Sequence, residues 1–180
     1  MKKIVTIILA VFSVVLTACG SSNTANTIKD NKSLEDVITA VNDAFSQKYG
    51  ADYSAVAMSM PINDEYLVDF CEIDPANVEE SAGFVSMSMT NSDTLIGIKA
   101  KSQKADAIKT NLEGRLKDIQ NQYEMYNVNG SYDRAKAGEV YQKGDYLFLI
   151  VVGVMDMEKE EQNFAEDVTL AKTTIDSMFN

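Results

Sequence analysis

Hydrophobic residues that recur every three or four positions predict three long helices along the chain. The first begins at Ser33, a favourable N-terminal cap, and ends at Gly50. The second covers about 103–126 and the third about 157–178. A shorter helix is predicted for Asp64–Cys71, ahead of an Ile-Asp-Pro sequence that prevents the helix from continuing.

Hydrophobic residues that alternate with polar ones predict strands in two pairs. The first pair is 84–89 and 94–100, and the second pair is 139–142 and 146–154, each joined by a short polar turn. A long helix follows each pair, so we expect a strand-strand-helix unit that occurs twice. This order predicts an α+β fold with a four-stranded antiparallel sheet, the two long helices on one face, and an N-terminal helical segment.

Three segments depart from that simple pattern. Residues 56–60 favour a short extended stretch, 127–138 is polar and predicts a loop, and 146–152 is apolar at every position. A strand with one solvent-exposed face alternates apolar and polar residues. Because this last strand does not, it is either covered on both faces or presents its second face to a partner. We expect the cover to come from the chain itself, from residues 33–71, and keep the partner as the alternative.

The N-terminus has the parts of a bacterial lipoprotein signal in the right order. Two lysines follow Met1, and fifteen uncharged residues then run from Ile4 to Ala18. At 1.5 Å per helical residue this run spans about 22 Å, which is shorter than the ~30 Å hydrocarbon core of a membrane. The sequence LTACG at 16–20 resembles a lipobox, which implies cleavage before Cys19 and a diacylglyceryl thioether on that residue. The alternative is an ordinary signal peptide with an incidental cysteine.

These features divide the chain into a signal peptide at 1–18, a lipidated cysteine with a flexible tether at 19–32, and a single domain at 33–180. The tether corresponds to a separation of about 20 Å between lipid and domain. Because two acyl chains anchor a protein stably, we expect it on the extracytoplasmic face of the cell membrane. Cys71 is the other cysteine, and its apolar surroundings predict a buried structural thiol.

The composition argues against several classes of function. The formal charge is −11, from 16 basic and 27 acidic residues, which disfavours a nucleic-acid partner. The absence of histidine removes Ser-His and Cys-His catalytic pairs and the commonest metal ligand. The sequence has neither a glycine-rich phosphate loop nor a Gly-x-Ser-x-Gly motif. We therefore expect no catalysis and no cofactor other than the covalent lipid on Cys19.

Methionines form the most unusual local feature of the sequence. The motif Met-x-Met occurs three times, as Met58-Ser59-Met60, Met87-Ser88-Met89 and Met155-Asp156-Met157. Thioethers are soft ligands and alternate residues of a strand share a face, so a Cu(I) site is one hypothesis. Its candidate ligands are Met58, Met60, Met87 and Met89. It predicts that Met58, Met87 and Met89 converge in a partly open pocket, whereas the competing interpretation buries these side chains in a core.

Several stretches together carry a resemblance to a known family. Residues 60–75 read MPINDEYLVDFCEIDP, 98–101 read IKAK, and YLFLIV at 146–151 follows a Lys-Gly-Asp turn. Together with the Met-rich strand before Asn91, they resemble a family of small Firmicutes cell-envelope lipoproteins classed as domain of unknown function 4358. Where that family often has Tyr-Gly before Ile-Asp-Pro, this chain has Cys71-Glu72. The resemblance implies a lipoprotein of a Gram-positive cell envelope and brings no activity, cofactor or catalytic residue.

From the sequence we expect a non-catalytic binding or interaction module that is anchored to the membrane through its lipid. Its partner would be a protein or another component of the envelope. This hypothesis predicts a contiguous exposed apolar patch, which we place on the sheet face that carries half of 146–152. The alternatives are binding of a small ligand or Cu(I) by methionines, and a hydrolase, which requires two acids converging in a cleft, one with a raised pKa.

Overall fold

The structure is a computed structural model, and it describes residues 32–158 and 162–179. The proposed signal peptide, Cys19 and nearly all of the tether lie outside these ranges. In chain order the elements are α1 (Leu34–Tyr49), β1 (Ser59–Pro61), α2 (Asp64–Cys71), β2 (Val78–Ser86), β3 (Thr94–Ala100), α3 (Ala105–Glu124), α4 (Ser131–Ala137), β4 (Glu139–Lys143), β5 (Tyr146–Val151) and α5 (Phe164–Met178). Single turns of 3-10 helix cover Pro75–Asn77 and Val128–Gly130.

The five strands form one antiparallel sheet in the order β1-β2-β3-β5-β4. The α+β class is confirmed, but the prediction of four strands is wrong. The additional strand is β1, whose Met60 pairs with Val85 of β2. Three exposed residues carry too little alternation to predict a strand, and only the pairing with β2 defines it.

The sheet lies between two layers of helices, so the prediction that both long helices share one face is also wrong. On one face, Phe45 of α1 and Ile175 of α5 pack with Phe148 of β5. On the other face, Leu112 of α3 packs with Leu147 of the same strand, together with α2. All six residues of β5 are consequently buried. The chain itself covers both faces of this strand, and no apolar sheet face is left there for a partner.

Some strand and helix boundaries differ from the predicted ones for local reasons. β2 ends at Ser86 rather than residue 89, because the Oγ atoms of Ser86 and Ser88 accept bonds from nearby backbone amides and favour turns over pairing. α5 begins at Phe164 rather than 157, after two hydrogen bonds between the Gln162 side chain and the backbone of Asp156.

The polar segment 127–138 contains α4 instead of a continuous loop. The buried side of α4 is Ser131, Arg134 and Ala135, so its inward face carries no hydrophobic pattern that a sequence reading could detect.

The ends of the first two helices follow standard rules. Ser33 Oγ accepts a hydrogen bond from Asp36 N and caps α1, and Gly50 ends it. Glu72 ends α2 in a left-handed conformation with φ of 54°. Within residues 32–158 and 162–179, no helix combines the length and the apolar composition that crossing a membrane requires.

Candidate functional site

One end of the sheet carries most of the exposed methionines. It is the end where β1 and β3 begin and where β2 and β5 finish. In the described part of the chain, the large hydrophobic side chains that remain exposed are Tyr53, Met58, Met60, Val68, Phe70, Met87, Met89, Met125, Tyr126 and Met157. We call Met58, Met60, Met87, Met89 and Met157 the methionine face. These five are 40–89% exposed, so the expectation that a core buries them is wrong.

A buried polar cluster holds the segments that carry the methionine face. Asp93 Oδ2 accepts hydrogen bonds from Ala57 N at 3.2 Å and from Asn91 Nδ2 at 2.9 Å. Arg134 Nε lies 2.9 Å from Asp93 Oδ1, but its single hydrogen points at Gly153 O. Asp93 Oδ1 therefore interacts electrostatically with Arg134 but accepts no well-aligned hydrogen bond.

The cluster joins four parts of the chain: the segment before β1, the loop after β2, α4 and the segment after β5. Burial raises the pKa of the Asp93 carboxyl, while the adjacent Arg134 guanidinium opposes that rise. The pKa of Asp93 is thus set mainly by burial against the charge of Arg134, and the charge of Asp167 adds a smaller rise. The cluster fixes the positions of the loops, and these loops carry the exposed methionines.

A first cleft of about 220 Å³ lies between α2, α3 and the end of β2. Apolar side chains form about half of its lining, with Met60, Phe70, Met87 and Met89 over the more buried Val85, Ile119 and Tyr123. Arg115 of α3 also lines this cleft. Asp93 lines it as well, but its side chain is only 5% exposed and is paired with Arg134. The arrangement combines adaptable apolar side chains with one cation that has no acidic partner among the described residues.

A second cleft of about 660 Å³ lies on the other side of the loop after β2. Its methionines are Met58, Met155 and Met157, and Asp93 and Arg134 line it too. The structure thus divides the six methionines of the Met-x-Met motifs into two groups of three. Met87 N donates to Met58 O at 3.0 Å, so the two backbones are adjacent although the side chains line different clefts. Met58 therefore does not share one cleft with Met87 and Met89.

Arg115 is held by an aromatic pair on α2. Its Nε and Nη2 lie 3.3 Å and 3.2 Å from Tyr66 Oη, which accepts both bonds. The rings of Tyr66 and Phe70 stack with centroids 4.9 Å apart, and the Arg115 guanidinium carbon lies 5.5 Å from the Phe70 centroid. Burial raises the pKa of Tyr66, so this hydroxyl stays neutral at physiological pH.

Cys71 is buried, as expected, and burial raises its pKa to about 11. Among the residues that the structure describes, no group of three or more Cys, Asp or Glu side chains is placed to hold a metal ion. Soft-metal binding would therefore depend on the methionines.

Sequence reasoning identified the methionines but missed both arginines and Asp93. Arg115 and Arg134 are the only arginines in the chain, beside 14 lysines. That scarcity was a usable signal, because a chain that otherwise uses lysine places arginine where planar, directional hydrogen bonding matters. Nothing in the sequence indicated that both lie at the same end of the sheet.

Comparison with known proteins gives one match. The sequence model of a family described as a domain of unknown function, number 4358, matches residues 51–152. The matched stretch is more than half of the chain and contains every residue that lines the first cleft. No curated protein and no solved structure matches the chain.

Proposed function

We propose that this chain, which belongs to the family of the domain of unknown function 4358, is a lipid-anchored extracytoplasmic module that binds a polypeptide partner at its methionine face. In this proposal the protein catalyses no reaction. The observation that carries it is the concentration of exposed methionines at one end of the sheet, around two open clefts.

The degree of exposure favours a macromolecular partner over a small ligand. Met89 and Met58 are 89% and 70% exposed, so neither is enclosed in a preformed pocket. A small-molecule site usually surrounds its ligand with apolar walls, whereas a protein surface covers side chains that project outward. Methionine suits such a surface because its unbranched thioether adapts to different partner shapes.

The position of α1 supports a partner other than the anchoring membrane. Leu34 N donates to Glu80 Oε1 at 2.6 Å, so α1 begins at the sheet end opposite the methionine face. Its last residue, Tyr49, contacts Asp167, which in turn accepts from Val154 N near the methionine face. The proposed lipid on Cys19 precedes α1, so its tether would reach the domain at the far end. The methionine face then lies at the end of the domain that is farther from the point where the tether attaches.

Crosslinking in living cells tests the proposal. A photoreactive benzoylphenylalanine at position 89 should crosslink to a discrete protein species. The same residue at position 106, exposed at the opposite end of the sheet, serves as the matched control and should not. Replacing Met58, Met60 and Met87 by serine should abolish the crosslink from position 89. Equal crosslinking from both positions, or none to protein from either, would contradict the proposal.

The lipid anchor has its own test. A fatty-acid analogue supplied to growing cells should label the protein through Cys19 and leave the Cys19→Ala variant unlabelled. Labelling that survives this substitution would contradict the anchor, because the only other cysteine, Cys71, is buried.

The grouping of methionines favours one alternative, a soft-metal site. Each cleft has three thioethers on its wall, and three sulfur ligands suit Cu(I) or Ag(I). Titration with Ag(I) should then saturate at a fixed stoichiometry and lose one equivalent in the Met87→Ser/Met89→Ser variant. Absence of saturable binding would remove this alternative.

A further inference from the structure

We propose that Arg115 anchors the partner by binding a carboxylate that is attached to an apolar group, as at the C-terminus of a polypeptide that ends in apolar residues. The inference rests on the proposed function, since it names the chemistry of the segment that enters the first cleft. It adds a charge requirement to what is otherwise an apolar surface.

In the part of the chain that the structure describes, Arg115 differs from the other cations that have no ion pair, Lys32, Lys101, Lys104 and Lys117, because those lysines are exposed and Arg115 is partly buried. The chain has 27 acidic residues against 16 basic ones, so acceptors are abundant. Ion pairs form at Lys48, Lys99, Lys109, Arg134, Lys136, Lys143 and Lys172. Arg115, which is only partly exposed, forms no ion pair with a carboxylate anywhere in 32–158 or 162–179. In so acidic a chain, an unpaired and partly buried guanidinium indicates an anion supplied from outside.

The guanidinium is also preorganised. Tyr66 Oη occupies Nε and Nη2, and Phe70 supports the plane of the group. These contacts leave Nη1 without a hydrogen bond to a described residue. Because Tyr66 is neutral, it orients Arg115 without cancelling its charge. A fixed guanidinium loses less side-chain entropy when it binds a carboxylate than a mobile lysine does.

The surroundings of Arg115 specify what the carboxylate is attached to. Met60, Met87 and Met89 line the same cleft, so a ligand that reaches Arg115 also covers thioethers. A free inorganic anion would leave these side chains in water, whereas an apolar C-terminal residue would bury them. The geometry therefore favours an acid with an apolar body over a small hydrophilic anion.

Two peptides that differ in one group test the inference. The full-length lipoprotein in phosphatidylcholine nanodiscs is titrated against a fluorescein-labelled hexapeptide ending in Leu-Phe-Leu, with either a free carboxylate or a C-terminal amide. Fluorescence anisotropy should show about tenfold tighter binding of the free acid. The Arg115→Gln variant should reduce that preference to about twofold or less. Lys109→Gln, the same charge change on the same helix outside the cleft, should preserve it.

Each outcome bears on the inference. Equal binding of acid and amide, or an unchanged preference in Arg115→Gln, overturns the role of Arg115. If both peptides bind equally and Met87→Ser/Met89→Ser weakens the binding of both, the methionine face still docks a polypeptide. Only the role of Arg115 is then contradicted. If neither peptide binds, the inference is overturned, and crosslinking from position 89 decides the proposed function separately.

Discussion

Arg134 Nε lies 2.9 Å from Asp93 Oδ1, and both side chains are only 5% exposed. Removing one partner of such a pair leaves a buried charge without compensation. We therefore predict that Arg134→Met lowers the free energy of unfolding by about 3–5 kcal/mol. Urea denaturation of residues 32–180 measures this change.

Lys136→Met is the matched control for that prediction. Lys136 lies on the same helix and pairs with Asp133, but both side chains are about half exposed. Exposed pairs contribute little, so the control should change stability by less than about 0.5 kcal/mol. If Arg134→Met proves as stable as the control, the buried cluster does not hold the loops as described.

The exposed methionines should be dispensable for folding. Met87 and Met89 are mostly in water, so replacing both by serine should alter the free energy of unfolding by less than about 0.5 kcal/mol. By contrast, Leu112→Ala truncates a fully buried side chain and should lower the free energy of unfolding by about 2–5 kcal/mol. A large loss in the double methionine variant would show that these side chains serve the fold rather than a partner.

Glu72 is held in a conformation that glycine adopts more easily. With φ of 54° it ends α2, and its side chain is exposed. Glu72→Gly should therefore stabilise the domain by about 1 kcal/mol, measured as a rise in the unfolding midpoint.

Gly83→Ala should have the opposite effect to Glu72→Gly. Its φ is +148°, and an added Cβ would lie 2.2 Å from Leu95 O. We expect Gly83→Ala to lower the free energy of unfolding by more than about 1 kcal/mol.

A destabilised Glu72→Gly variant would contradict the prediction for Glu72. It would mean that the Glu72 side chain makes a favourable interaction that outweighs the strained backbone.

The thiol of Cys71 should be inert in the folded protein. Burial raises its pKa to about 11, so almost none of it is thiolate at pH 8. Iodoacetamide should modify Cys71 only in denaturant. Because the folded pKa exceeds the value of about 8.5 in the unfolded chain, the stability linked to this group is complete below pH 8.5. It falls as pH rises towards 11. Cys71→Ala should lose less stability than the unaltered domain over that interval, and an identical pH dependence would contradict the assignment.

Elements defined by local sequence were predictable, whereas the layering of the fold was not. The predicted bounds of the helix at Asp64–Cys71 and of the strand over 94–100 match α2 and β3. Both carry strong signals at their ends, such as Asn63, whose side chain accepts from Tyr66 N at the start of α2. The positions of α3 and α5 on opposite faces depend on β5 being an interior strand that is apolar on both sides. The apolar run at 146–152 indicated that both faces could be covered, but which helix covers which face links distant residues and has no local signature.

The candidate site was predictable only in part for the same reason. The Met-x-Met spacing drew attention to the correct side chains but implied one shared strand face. In the structure, the turn after Ser86 separates Met58 from Met87 and Met89, and the first cleft forms only where α2 approaches α3. The role of Arg115 depends on that approach, because its contacts, Tyr66 and Phe70, are more than forty residues away in the chain.

Methionine oxidation footprinting tests the central claim most directly. Hydrogen peroxide is applied to intact cells and to the purified protein, and the sulfoxide at each methionine is quantified by mass spectrometry. Met125, highly exposed and outside both clefts, is the internal control for access of the reagent. If a partner covers the methionine face, Met58, Met87 and Met89 oxidise several times more slowly in cells than in the purified protein, relative to Met125. The same relative oxidation rates in both samples would contradict docking at this face.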